Sequence, residues 1–199
     1  AVFLAMTMCV PTVWGARTDS ADQKVRVGLA SSSSHNATGE LACAHLQNNT
    51  GFGAGYRFGY YDSDLSFVEL ARTGQCTDQI AVLKARNMYY GYDSSAGKYT
   101  YSESDLGGPA VGCYHIQIPG SYVSYSNAAA DAQLYGGFVA WIDGAYQVRV
   151  GSYATKETAE SALTGLPQGT VVGTSAYGMN VVETGTDHIL FQFDMGKGG

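Results

Sequence analysis

From residue 25 onward, short runs of alternating apolar and polar residues follow one another, separated by Gly, Ser and Asp. Val25-Arg-Val-Gly-Leu29 alternates as a short strand. Tyr56-Arg-Phe-Gly-Tyr-Tyr61, Asp-Ser-Asp-Leu-Ser and Phe67-Val-Glu-Leu70 read as strand, turn, strand. Residues 80–90 hold one or two more strands. Residues 91–109 are rich in Gly, Ser and Asp and read as a linker. No amphipathic helix is predicted between 25 and 105.

Beyond Pro109 the period changes. His115-Ile-Gln-Ile118 predicts a strand. Residues 126–135 predict a helix, with Ala128, Ala132 and Tyr135 on one face and Gly136-Gly137 as its stop. Residues 138–142 and 146–150 flank Asp143-Gly144, a hairpin signature. Thr155 caps a second helix through Leu166, residues 170–173 form a strand, and 179–182 and 188–193 form a last strand pair. Gly-Ser-Tyr recurs at 120–122 and 151–153, and an Ala-rich helix follows each copy. A unit of strand, helix and strand used twice predicts an antiparallel sheet with both helices on one face and the reverse left open.

Composition narrows the function. Among 199 residues there are 26 Gly and 15 Tyr, only 14% are charged, and the net charge is −6. Eleven scattered Lys and Arg give no basic footprint, which argues against nucleic acid and anionic membrane surfaces. A neutral glycan fits this balance. The opening ten residues are apolar, with Val13 and Gly15 placed as the small residues of a cleavage site. This predicts a secretory signal remnant over 1–15 and a polar leader over 16–24; a buried strand or helix is the structural alternative. Ten residues are too few to span a bilayer, so no membrane span is expected in the mature chain. Met8 argues against Cys9 as a lipid-bearing cysteine. Cys43, Cys76 and Cys113 are left, an odd number without zinc spacing, and one pair among them is open.

Residues 116–122 (Ile-Gln-Ile-Pro-Gly-Ser-Tyr) and 146–153 (Tyr-Gln-Val-Arg-Val-Gly-Ser-Tyr) resemble the first and third strands of the SPOR domain, the peptidoglycan-binding module named from sporulation-related repeats. The first carries one extra residue, Pro119, and the family's usual third-strand Arg is replaced by Gln147. The wider arrangement resembles the N-terminal region of secreted stage II sporulation protein D and amidase-enhancer proteins. The resemblance implies an α+β fold: a βαββαβ, ferredoxin-like SPOR-type domain over 110–175, preceded by a β-rich module over 25–105. A strand pair and linker over 176–199 would lead to a C-terminal wall-cleaving domain beyond Gly199. It also implies a secreted protein of the bacterial cell envelope that binds peptidoglycan glycan strands without catalysis, with no cofactor, and that is able to contact its own C-terminal domain.

Alternation turns Ile116 and Ile118 toward the helices, and Gln117, Gln147 and Arg149 toward the open face. Amide and guanidinium groups there would hydrogen-bond sugar hydroxyls. Gln117 and Ser121 match the family's first-strand binding positions. A two-residue loop at Asp143-Gly144 would pair Trp141 with Tyr146 and bury it; a three-residue loop would expose it for stacking on a sugar ring, and the exposed register is the one expected. The glycan site is therefore assigned to Gln117, Ser121, Gln147, Arg149 and Trp141. A solvated sheet face is polar in any case, so a protein-docking module that positions the wall-cleaving domain is the second reading. His35, His45, His115 and His188 lack ligand spacing, so no metal is implied. No Gly-x-Ser-x-Gly elbow occurs. Asp62, Asp64 and Glu69 read as a turn and a solvated strand rather than as a glycosidase pair.

Overall fold

The computed structural model describes residues 42–47, 55–74 and 79–194. The signal remnant, the leader, the strand over 25–29, His35 and Cys76 lie outside them.

In chain order the elements are β1 (Cys43–Gln47), β2 (Arg57–Tyr61), β3 (Phe67–Arg72), β4 (Gln79–Lys84), β5 (Met88–Asp93), β6 (Lys98–Ser102), β7 (Gly107–Val111) and β8 (Tyr114–Tyr122). There follow α1 (Tyr125–Leu134), β9 (Phe138–Ile142), β10 (Ala145–Tyr153), α2 (Lys156–Leu163), β11 (Thr170–Gly173), β12 (Met179–Glu183) and β13 (Ile189–Asp194). Local chemistry explains the helix ends. The Ser124 side chain caps α1 by accepting from Asn127 N, and Thr155 and Thr158 form a reciprocal capping box on α2. After α1, Gly136 takes φ +62° and Gly137 N returns to Ala132 O at 2.7 Å.

The expected α+β, βαββαβ ferredoxin-like domain is corrected by the sheet. Strands β9, β10, β8 and β11 form one end of an eight-stranded mixed sheet in the order β1-β4-β12-β13-β9-β10-β8-β11. The β9 edge is not free: β13 pairs with it in parallel, Phe191 opposite Val139 and Phe193 opposite Trp141. The other neighbouring strands of this sheet pair antiparallel. The protein is mostly β, and the physical reason lies in β9 itself. Phe-Val-Ala-Trp-Ile has no apolar–polar alternation, and Phe138, Val139 and Ala140 are all buried. Such a strand needs cover on both faces and neighbours on both sides.

One face of the sheet carries Ile118, Val139, Val148, Val181, Phe191 and Ile80. The helices lie there, contributing Ala128, Ala132 and Ala159, whose small side chains let α1 and α2 sit close to the strands. The β2–β3 hairpin shares this layer. Leu70 and Ala71 enter the same core, and Tyr146 Oη donates to Leu70 O at 2.9 Å.

The reverse face is not bare. A second sheet, β6-β5-β7, packs on it. Its Met88, Tyr101 and Val111 close a core with Ala81, Leu83, Phe138, Ala140, Val182 and Ile189. Residues 91–109, expected as a linker, supply the end of β5, all of β6 and the start of β7; their Gly, Ser and Asp serve turns. Tyr101 anchors this layer. Its hydroxyl donates to Thr186 O at 2.6 Å and accepts from Gly185 N at 3.0 Å and Thr186 N at 3.1 Å. Tyr101→Phe removes these bonds and leaves the turn between β12 and β13 under-satisfied. A loss of about 1–3 kcal/mol is expected in urea unfolding, with the m value unchanged.

Candidate functional site

The residues assigned from sequence do not form one surface. Gln117 lies on β8 in register with Arg149 of β10 on one side and Thr170 of β11 on the other. Gln117 and Gln147 are half-buried, and Ser121 is exposed near the end of β8. Trp141 points to the helix-side face. The turn after it has two residues, Asp143 at φ +47° and Gly144 at φ +83°, so Trp141 pairs with Tyr146. Their rings meet edge to face with centroids 4.6 Å apart. The expected exposed register is therefore corrected, and Trp141 is separated from Gln117 and Arg149 by the thickness of the sheet.

Arg149 does face away from the helices, as alternation requires, but it is only 5% exposed. It belongs to a buried polar row. Arg149 Nη1 donates to Gln192 Oε1 at 2.5 Å and Nη2 to Gln147 Oε1 at 3.3 Å. Gln192 Nε2 donates to Asn180 Oδ1 at 2.7 Å and to His115 Nε2 at 3.0 Å. His115 Nδ1 donates to Gly151 O at 2.8 Å, which assigns the neutral tautomer with its proton on Nδ1. Asp194, also buried, accepts from Ser175 Oγ at 2.7 Å. Burial lowers Arg149 to about 10, with Asp194 opposing that shift, so the guanidinium stays charged at neutral pH. These side chains tie β8, β10, β12 and β13 together, and Arg149 anchors structure where a sugar ligand was expected.

Burial also drives His115 down to about 4; the Gly151 carbonyl raises it and the Arg149 charge lowers it further. Below pH 6.5 the unfolded chain takes up a proton that the folded chain refuses. The stability due to this group is full above pH 6.5 and is lost progressively as pH falls toward 4, by roughly 3 kcal/mol. Urea titrations between pH 7.5 and 4 should show that slope. His115→Gln, which keeps an acceptor facing Gln192, should flatten it.

An aromatic surface that the sequence reading did not single out lies on β5 and β6. Tyr90 pairs with Tyr101 and Tyr92 with Tyr99, so four tyrosines share one face. Exposure rises along the row: Tyr101 is 3% exposed, Tyr92 54% and Tyr99 63%. Tyr90 and Tyr101 have ring centroids 4.9 Å apart, Tyr90 and Tyr99 stack at 6.0 Å, and Tyr99 meets Tyr92 edge to face at 5.4 Å. The hairpin end is fixed by Asp93, whose Oδ1 accepts from Ser95 N at 2.8 Å and Ser95 Oγ at 2.6 Å. Those bonds hold its carboxyl below the ordinary range. The sequence signal was the pair Tyr90-Gly-Tyr92 and Tyr99-Thr-Tyr101 around a Ser-Ser-Ala-Gly turn. It was hidden by reading the turn residues as a linker.

Among the described residues, no three or more His, Cys, Asp or Glu side chains come together as a metal site, and no helix is long and apolar enough to cross a membrane. Cys43 and Cys113 carry free thiols, each pushed up by burial. An apolar groove of about 250 Å³ lies between the β2–β3 hairpin and β4, β12 and β13, lined by Phe58, Phe67, Val82, Met179 and Phe193. No family model, curated protein or solved structure matches the chain, so the resemblance to sporulation-related repeats rests on the quoted motifs alone.

Proposed function

We propose that this chain is a non-catalytic glycan-binding module of a secreted envelope protein, and that it meets its ligand on the tyrosine face of β5 and β6. The observation that carries this reading is the exposed Tyr92–Tyr99 pair, stacked through the half-buried Tyr90 on the buried Tyr101. Rings so fixed present flat apolar faces and hydroxyl tips at little entropic cost on binding, which suits the alternating C–H faces and hydroxyl rims of pyranose rings. The acidic, charge-poor composition favours a ligand that is not an anionic polymer. Peptidoglycan glycan strands are the ligand class that the sequence motifs suggest. The reverse face around Gln117 and Arg149 is set aside as the site because β6-β5-β7 and the buried polar row occupy much of it.

A second reading is a docking module that positions a wall-cleaving domain. The apolar groove beneath the β2–β3 hairpin favours it, since such a groove accepts apolar side chains of a partner.

Co-sedimentation with purified peptidoglycan, and with glycan strands freed of stem peptides, decides between these readings. The unaltered chain is expected to be retained, and Tyr92→Ala with Tyr99→Ala to weaken retention by about tenfold or more. Gln117→Ala should bind as the unaltered chain does. Loss in Gln117→Ala with full retention of the tyrosine double variant returns the ligand to β8. No retention of the unaltered chain removes the glycan reading and leaves docking.

A further inference from the structure

Among the described residues β1 ends the eight-stranded sheet, and its pairing with β4 fixes which of its backbone groups look outward. Lys84 N donates to Ala42 O at 3.0 Å, so residues 42, 44 and 46 exchange bonds with 84, 82 and 80. Cys43, His45 and Gln47 therefore turn their N–H and C=O groups away from the sheet. A terminal strand of this kind is normally guarded by charge, by proline or by brevity. β6 begins with Lys98, β7 contains Pro109, the β2–β3 hairpin carries Arg57, Glu69 and Arg72, and β11 has four residues. β1, Cys-Ala-His-Leu-Gln, has neither charged residue nor proline.

We propose that β1 pairs antiparallel with β1 of a second copy about a two-fold axis at His45, joining two eight-stranded sheets into one. The strand is complementary to itself in that register. His45 faces its symmetry mate, Ala44 faces Leu46, and Cys43 faces Gln47. The three opposed pairs of outward residues each exchange two backbone bonds, so every outward group of β1 finds a partner. No like charges meet at neutral pH, because burial and the Lys98 charge both lower the pKa of His45. Ala44 and Leu46 lie on the helix-side face, in register with Val82 and Ile80, and Val82 adjoins Met179, which is 41% exposed. Pairing extends that apolar strip across the axis and takes part of it out of water. A second copy fits better than an unrelated strand because the match of apolar to apolar and polar to polar is set by the one sequence read in both directions.

Sedimentation equilibrium of the full chain over a wide concentration range tests this. The unaltered chain is expected to show twice the single-chain mass. His45→Pro deletes an outward N–H without touching the ladder to β4, a change that edge strands tolerate. His45→Lys sets two ammonium groups face to face. Both variants should raise the dissociation constant by about tenfold or more while keeping the circular dichroism of the unaltered chain. Should His45→Pro fail to fold, His45→Lys decides. A single-chain mass at every concentration, or a dimer that persists in the folded variants, overturns the proposal.

Discussion

The structure depends on a guanidinium buried inside a β-sheet. Arg149 keeps its charge while almost wholly removed from water, and such a group is tolerated only when hydrogen-bonded and covered. Gln192 is the partner that makes this possible. Its carbonyl oxygen accepts from Arg149, and its amide nitrogen donates to both His115 and Asn180. The connection reaches over β9, where the residue between Gln192 and Gln147 is Ala140. A larger side chain at Ala140 would stand between the groups that must touch. The polar row thus joins the β8–β10 end of the sheet to the β12–β13 side. A four-stranded unit cut at β9 would expose Arg149 and strand Gln192.

The cover on the reverse face decides where free surface remains. Once β6-β5-β7 closes over Phe138, Ala140, Val182 and Ile189, the side of the sheet opposite the helices ceases to be an extended platform. The covering layer itself carries the exposed aromatic surface. Its tyrosines are buried where they reach the main sheet and solvent-exposed where they extend past the turn between β12 and β13. Tyr101 illustrates the division: its ring fills the core, and its hydroxyl satisfies backbone groups of that turn. Tyr92 and Tyr99 stand at the exposed end of the row, in mutual contact on a hairpin fixed by Asp93.

Elements written into short stretches of sequence were legible. Thr155 with Thr158, the Gly136-Gly137 stop and Asp143-Gly144 are local chemistry, and each acts where the residues stand. The face of Arg149 was legible too, because a strand's period is fixed by its backbone. What lies on top of that face was not, since alternation describes one strand and cover comes from residues some fifty positions upstream. The parallel contact of β13 with β9 was missed for a related reason: it joins segments with four other elements between them, and no turn residue announces it. A clue existed in the unbroken apolar run of β9, which an edge strand of a small two-layer domain has no reason to carry. The tyrosine face was lost through composition: Gly, Ser and Asp between two Tyr-x-Tyr runs are equally at home in a linker and in a tight hairpin.

The polar row also specifies register. In β13, Phe191 and Phe193 face the helix-side core, while Gln192 faces the covered polar side. A slip of one residue against β9 would put two phenyl rings beside Arg149 and drive an amide into the core formed with Val139 and Val148. Both errors are expensive, one because it leaves a buried cation without its acceptor and the other because it buries an amide without partners. A purely apolar β13 would bind β9 in either register at similar cost. The buried polar row therefore excludes an alternative pairing that hydrophobicity alone would permit, and this is what makes a mixed sheet with one parallel contact a single structure rather than a set of near-equal ones.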